Sequence, residues 1–271
     1  MSTIIDSRQQ TQADIPMYFG LCISILGILG NLLNILVFTT LKSFRETTCA
    51  VYLIVTSIYN LGQSLSVFFI ILMNSFKLFS LTSTIFCKIR FSGPQYFTLV
   101  SQTCMCLAAI DQFLSRTRYR NWSSIRSAYY HIAFSCILWF IHSIVTFIFY
   151  DFDGTLCIIT NIHFLKYFTY FYLPILLGFL PLIIISVFTL LAIYKHMTNT
   201  DRPIDIVRFS RDRQLTAMVF IHDLIMIITL IPFVSFFVYS LANSNAVRNQ
   251  MMFASFNIIA LINFTVRLFS F

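Results

Sequence analysis

The sequence predicts an all-α integral membrane fold, a bundle of seven transmembrane helices. Three features carry that reading: composition, the number of long apolar runs, and the placement of charge between them. Of 271 residues, 58% are apolar and only 10% are charged, whereas an ordinary soluble domain carries about 25% charged residues. Such a chain lacks the polar groups to cover a surface facing water. As membrane spans it is well suited, because Leu, Ile, Val and Phe face lipid favourably.

A helix needs about 20 mostly apolar residues to cross about 30 Å of hydrocarbon. The first run, 16–41, follows a polar segment, 1–15, expected to be extracellular. That run is long enough to be an anchor, and no cleavable signal peptide is evident before it. The second run spans 50–74. The third, 91–115, is the most polar, with Gln95, Ser101, Gln102, Thr103 and Asp111. A polar stripe on one span predicts a helix surrounded by other helices, not by lipid. Runs at 128–150, 166–195, 214–241 and 250–271 complete the set, with Pro181 in the fifth and Pro232 in the sixth. A proline inside a helix frees a backbone carbonyl and can make a hinge, so both are candidate hinges.

Charge sets the orientation. Lys42, Arg45, Arg116, Arg118, Arg120, Arg126, Lys195, Arg202, Arg208, Arg211 and Arg213 fall in the connections after spans one, three and five. Lys and Arg accumulate on the cytoplasmic side, which predicts an extracellular N-terminus and a multi-pass protein of the plasma membrane. The net charge of +8 fits this bias and an attraction to anionic inner-leaflet lipid. It does not point to nucleic acid as a partner.

Of seven cysteines, Cys22, Cys104, Cys106 and Cys136 lie within spans and Cys49 at the inner edge of the second. Those five read as small buried hydrophobes or reduced thiols. Cys87 and Cys157 face the oxidising side and can form one disulfide joining the top of span three to the loop between spans four and five. The other reading is two free external thiols. No metal-spaced His/Cys cluster, phosphate loop or nucleophile motif occurs, so no catalytic residue, metal or cofactor is expected. A transporter would predict an internal repeat relating spans one to three with five to seven, and the sequence has none.

Taken together, certain residues resemble the rhodopsin-like class of G-protein-coupled receptors along essentially the whole chain. Gly30-Asn31 opens a run like the first-helix signature of that class. Gln112 follows Cys87 by 25 residues, the interval from the external cysteine of the class to its Asp-Arg-Tyr centre. Trp139, Pro181, Pro232 and Asn263 fall where the class has its fourth-span tryptophan, its helix-distorting prolines and its seventh-span asparagine. Within the class, Cys87-Lys88-Ile89 and the run ending in Asp111 resemble invertebrate peptide receptors of the FMRFamide type.

The resemblance implies a heterotrimeric G protein as inner partner and an extracellular ligand, a peptide or a small molecule. It places Asn31, Asn60, Ser101 and Asn263 in an interior polar cluster, where cross-helix hydrogen bonds contribute about 0.6 to 2 kcal/mol each. The class carries an acid at the position of Asn60 that helps hold sodium, so here Asn60 is left as a hydrogen-bonder in the packing. Asp111, Gln112 and Phe113 stand at the coupling motif. Gln112 replaces its arginine and cannot make a charge-assisted contact. Asp111 then needs Arg116, Arg267 or water. Asp212 would face span three through a hydrogen bond alone, and Asp223 would pair with Arg267 or reach cytoplasmic water. Leu230 stands where many members have tryptophan, and Arg267 where the class has tyrosine. For the ligand, the outer halves offer Arg90, Gln95, Thr98, Tyr170, Phe233 and Phe237, an aromatic lining with little charge. Pro94 stands at the acid that amine receptors use, which argues against a biogenic amine.

Overall fold

The computed structural model describes residues 2–41, 47–76, 84–115, 117, 123–153, 157–198, 215–221, 224 and 227–228. Four long helices come first: α1 (Ser2–Thr40), α2 (Thr48–Phe76), α3 (Thr84–Leu114) and α4 (Ile125–Phe149). A hairpin follows, of β1 (Tyr150–Phe152) and β2 (Cys157–Ile159). The last continuous rod is α5 (Ile162–Tyr167), a π-helix over Phe168–Phe179, and α6 (Leu180–Thr198). Residues 215–221 are helical as well.

Among the described residues, five helices are long and apolar enough to cross a membrane: Gly20–Thr40, Thr48–Met73, Thr84–Leu114, Ile125–Phe149 and Ile162–Lys195. They match the first five expected spans with boundaries shifted by a few residues. The sixth, 214–241, is described only in part, and the seventh, 250–271, lies outside the described residues. Helix α1 extends N-terminally well beyond its apolar stretch, through the segment expected only to be polar. That segment holds good helix formers such as Arg8, Gln9, Gln10 and Ala13, and its polarity does not oppose a helix.

Helix α3 is the centre of the bundle. Of its most apolar stretch 67% is buried, against 22–33% for the other four. It packs against α2, α4, α6 and the hairpin, so its polar residues face neighbouring helices. Small residues permit this closeness. Ala108 and Ala109 on α3, Ala50 on α2 and Ala128 on α4 are fully buried, as expected where helices associate through tight packing. Gly62 brings α2 onto α3: a Cβ there would stand 2.9 Å from the Phe97 ring. Ile185 of α6, with Leu215 and Val219 of the 215–221 helix, closes the inner half of this core.

The π-helix has its cause in two prolines, Pro174 and Pro181, neither with an N–H to donate. Its end is marked by a bond from the Leu180 N–H to the Ile175 carbonyl, five residues back. In an α-helix the Leu177 carbonyl would accept from residue 181. Pro181 cannot supply that bond, and the Gln102 side chain of α3 donates to Leu177 O instead, at 2.8 Å. The expected hinge at Pro181 is thus the junction between π and α geometry.

The hairpin was not legible as such in a chain read as all-α. Its pairing is antiparallel, Tyr150 opposite Ile159 and Phe152 opposite Cys157. Aromatic and β-branched residues favour this extended form, and its covalent anchor is a disulfide between Cys87 and Cys157. Free external thiols are thereby excluded at these two positions.

Candidate functional site: the two ends of helix α3

At the N-terminal end of α3, the Cys87–Cys157 bond ties it to the hairpin, 70 residues away in sequence. Phe91 of α3 stacks on Tyr150 of β1, ring centroids 4.6 Å apart. Burial pushes the Tyr150 phenol above its usual range. Below this cap, Gln95 meets His142 of α4, Nε2 to Nδ1 at 3.5 Å. The other imidazole nitrogen, Nε2, lies 2.9 Å from the Tyr167 hydroxyl. Tyr172 stacks on the same imidazole at 5.5 Å. These contacts join α3, α4 and the fifth rod in one buried polar-aromatic cluster.

A cleft of about 510 Å³ opens between the C-terminal half of α2 and the N-terminal half of α3. Leu65, Phe69 and Ile70 form one wall, and Phe86, Ile89, Gly93, Pro94 and Phe97 the other. Among the described residues, Arg90 is its one charged lining residue. Nothing stands within 4 Å of where a Gly93 Cβ would be. An apolar body fits these walls, and a negative or strongly accepting group fits Arg90.

The structure divides the expected ligand residues. Arg90 lines the cleft. Gln95 is buried toward α4, and the Thr98 hydroxyl returns to its own helix at Pro94 O, 2.9 Å. Tyr170 is 64% exposed, whereas Tyr172, read with it as an outer aromatic, is only 2% exposed. Phe233 and Phe237 lie outside the described residues.

In the middle of the bundle, the Ser101 hydroxyl donates to Asn60 Oδ1 at 2.5 Å. Asn31 is fully buried as expected, but its amide donates to Gly27 O of its own helix. Two of the four expected polar residues are therefore bonded to each other, and Asn263 lies outside the described residues. Trp139 donates to Thr103 at 2.8 Å, an anchor between α3 and α4.

Near the C-terminal end of α3, Asp111 accepts from the Ser123 hydroxyl at 2.6 Å. Ser123 precedes α4, whose cap is Ser124. The cations expected to serve Asp111, Arg116 and Arg267, lie outside the described residues, as do Asp212, Asp223 and the hinge Pro232. Gln112 is buried and accepts from Thr216 at 3.1 Å. Phe113 packs edge-on against Phe188 of α6, centroids 5.7 Å apart. No protein-family model and no curated protein matches this chain.

Sequence reasoning gave no role to His142, Ser123 or Thr216. A polar residue in a strongly apolar span was a usable signal for His142. Nothing local marked the others, because their importance comes from what α3 presents to them. Among the described residues no group of His, Cys, Asp and Glu could hold a metal ion.

Proposed function

We propose that this chain is a seven-helix receptor of the rhodopsin-like G-protein-coupled class, in the plasma membrane with its N-terminus outside. It takes an extracellular ligand in the cleft beside Arg90 and passes the signal to a heterotrimeric G protein at the inner end of α3. The observation that carries this reading is the tethering of α3 at both ends. A disulfide fixes its outer end to the loop before the fifth span, and Gln112 at its inner end bonds to the 215–221 helix. A central helix fixed covalently at one end and joined at the other to the 215–221 helix by a neutral hydrogen bond is suited to relaying a change between the two faces.

The cleft favours a ligand with an apolar or aromatic body and an anionic or strongly accepting group, such as a peptide carboxylate or a carbonyl. Arg90 repels a cation, in agreement with the sequence argument against amines. The neutral Gln112 supports a second reading, a receptor-like protein that folds and traffics without coupling. Nucleotide exchange on a panel of G proteins separates the two. Activity from the native chain in membranes, basal or driven by a peptide library, supports a signalling receptor. Silence from it, with activity from Gln112→Arg, supports the non-coupling form. Silence from both at verified surface expression contradicts the coupling claim altogether.

A further inference from the structure

Toward the inner half of the bundle, a small pocket of about 30 Å³ lies where α1, α2, α3 and the 215–221 helix converge. Asn34 of α1 and Thr56 and Ser57 of α2 give it its polar wall, and Met105 and Met218 its apolar one. Asn34 and Thr56 are 7% and 6% exposed. Among the described residues, neither Asn34 Oδ1 nor Thr56 Oγ1 has a hydrogen-bond partner.

Thr56 departs from its neighbours in this. Ser24, Ser57, Ser66, Thr103 and Ser135 each return the hydroxyl to the carbonyl four residues earlier, at 2.7 to 2.9 Å. Such back-bonding is the usual refuge of a hydroxyl inside an apolar helix, and Thr56 does not take it. A buried polar atom left without a partner costs about 1 to 3 kcal/mol. Two such atoms on one pocket wall call for a shared partner. It must donate to the Asn34 carbonyl oxygen and accept from the Thr56 hydroxyl. The Ser57 oxygen, whose proton goes to Leu53 O, offers a further acceptor. One small molecule meets all three demands, and a water site needs roughly 10–15 Å³ and two to four polar partners.

We propose that this pocket binds one water molecule, which donates to Asn34 and Ser57, accepts from Thr56, and so links α1 to α2 beneath Met218. The pocket is too small for an organic ligand. Because Met218 belongs to the 215–221 helix, movement of that helix uncovers the site, so its hydration reports the position of the sixth span. The proposal needs no coupling to a G protein and stands or falls apart from that reading.

Radiolytic footprinting of the full chain in lipid nanodiscs tests it. Radiation turns a bound water into hydroxyl radical, which oxidises the nearest sulfur to a sulfoxide. Met105 touches the pocket. Cys104 beside it is buried too, 0% exposed against 5% for Met105, and does not line the pocket, so it serves as the internal control. The expected result is oxidation of Met105 well ahead of Cys104, reduced several-fold by Thr56→Val or by Asn34→Leu, with Met73 on α2 unchanged. Oxidation of Met105 no faster than that of Cys104 in the native chain overturns the proposal. So does a Met105 rate that neither substitution alters. The native comparison decides even where a variant fails to fold.

Discussion

Thr216 donates its hydroxyl to Gln112 Oε1 across 3.1 Å, joining the inner end of α3 to the 215–221 helix through a buried bond with no ion pair in it. Both residues are buried, 4% and 6% exposed, so water competes little for the bond. Hydrogen bonds between membrane helices average about 0.6 kcal/mol and reach about 1.7. A double-mutant cycle of Gln112→Ala and Thr216→Val, read by thermal unfolding of the purified chain, is expected to return a coupling within that range. Strict additivity of the two substitutions refutes the latch.

Gly62 lets Phe97 lie against the backbone of α2. Gly62→Ala places a Cβ at 2.9 Å from that ring, and overpacking of this kind costs about 1–3 kcal/mol. The variant should unfold at a lower temperature, with Phe97→Leu restoring much of the loss. Gly93→Ala, with open space around it, should be neutral or slightly stabilising, since alanine is the better helix former. Equal losses at both glycines contradict the packing described.

Gln102 serves a carbonyl that Pro181 leaves without its helical donor. Gln102→Leu leaves Leu177 O unpaired and should cost about 1–3 kcal/mol. In a Pro181→Ala background the N–H is restored and the same substitution should cost clearly less. Circular dichroism melts of the four proteins settle this. An identical penalty in both backgrounds means that Gln102 and Pro181 are not coupled through that carbonyl.

The cleft can be filled without touching the latch. Gly93→Leu extends a side chain from the lining into the cleft, and Arg90→Met removes its charge at similar length. Saturation binding of any ligand found by library screening should weaken at least tenfold for Arg90→Met if a carboxylate pairs with Arg90, since charge-assisted hydrogen bonds contribute about 1.5–3 kcal/mol. Thermal stability of Gly93→Leu should stay near native. Undiminished binding to both variants places the ligand elsewhere.

Much of this architecture could be read from residues alone. The polar stripe on span three announced a helix enclosed by others, and α3 is the most buried of the five. The positions of Cys87 and Cys157 on one side of the predicted bundle announced their bond. Ser101 and Asn60 were expected to meet and do. What could not be read depended on backbone geometry or on partners distant in sequence. Tyr170 and Tyr172 were read together as outer aromatics, and only the backbone around Pro174 separates them into an exposed and a buried residue. The strands at 150–152 and 157–159 are three residues each, too short for an alternation of polar and apolar residues to register. Asp111 was expected to need a cation or water, and its bond to Ser123 required α4 to begin where it does. Asp212, expected opposite Gln112, lies outside the described residues, and the bond from Thr216 to Gln112 had no local signal in the sequence.

We propose that the neutral bond between Gln112 and Thr216 restrains a receptor able to activate a G protein. Nucleotide exchange in membranes holding equal surface amounts of the native chain and of Thr216→Val tests it most directly. The account predicts exchange above that of empty membranes for the native chain, and a higher basal rate for Thr216→Val. Rates for both proteins that match empty membranes across the panel of G proteins would contradict it.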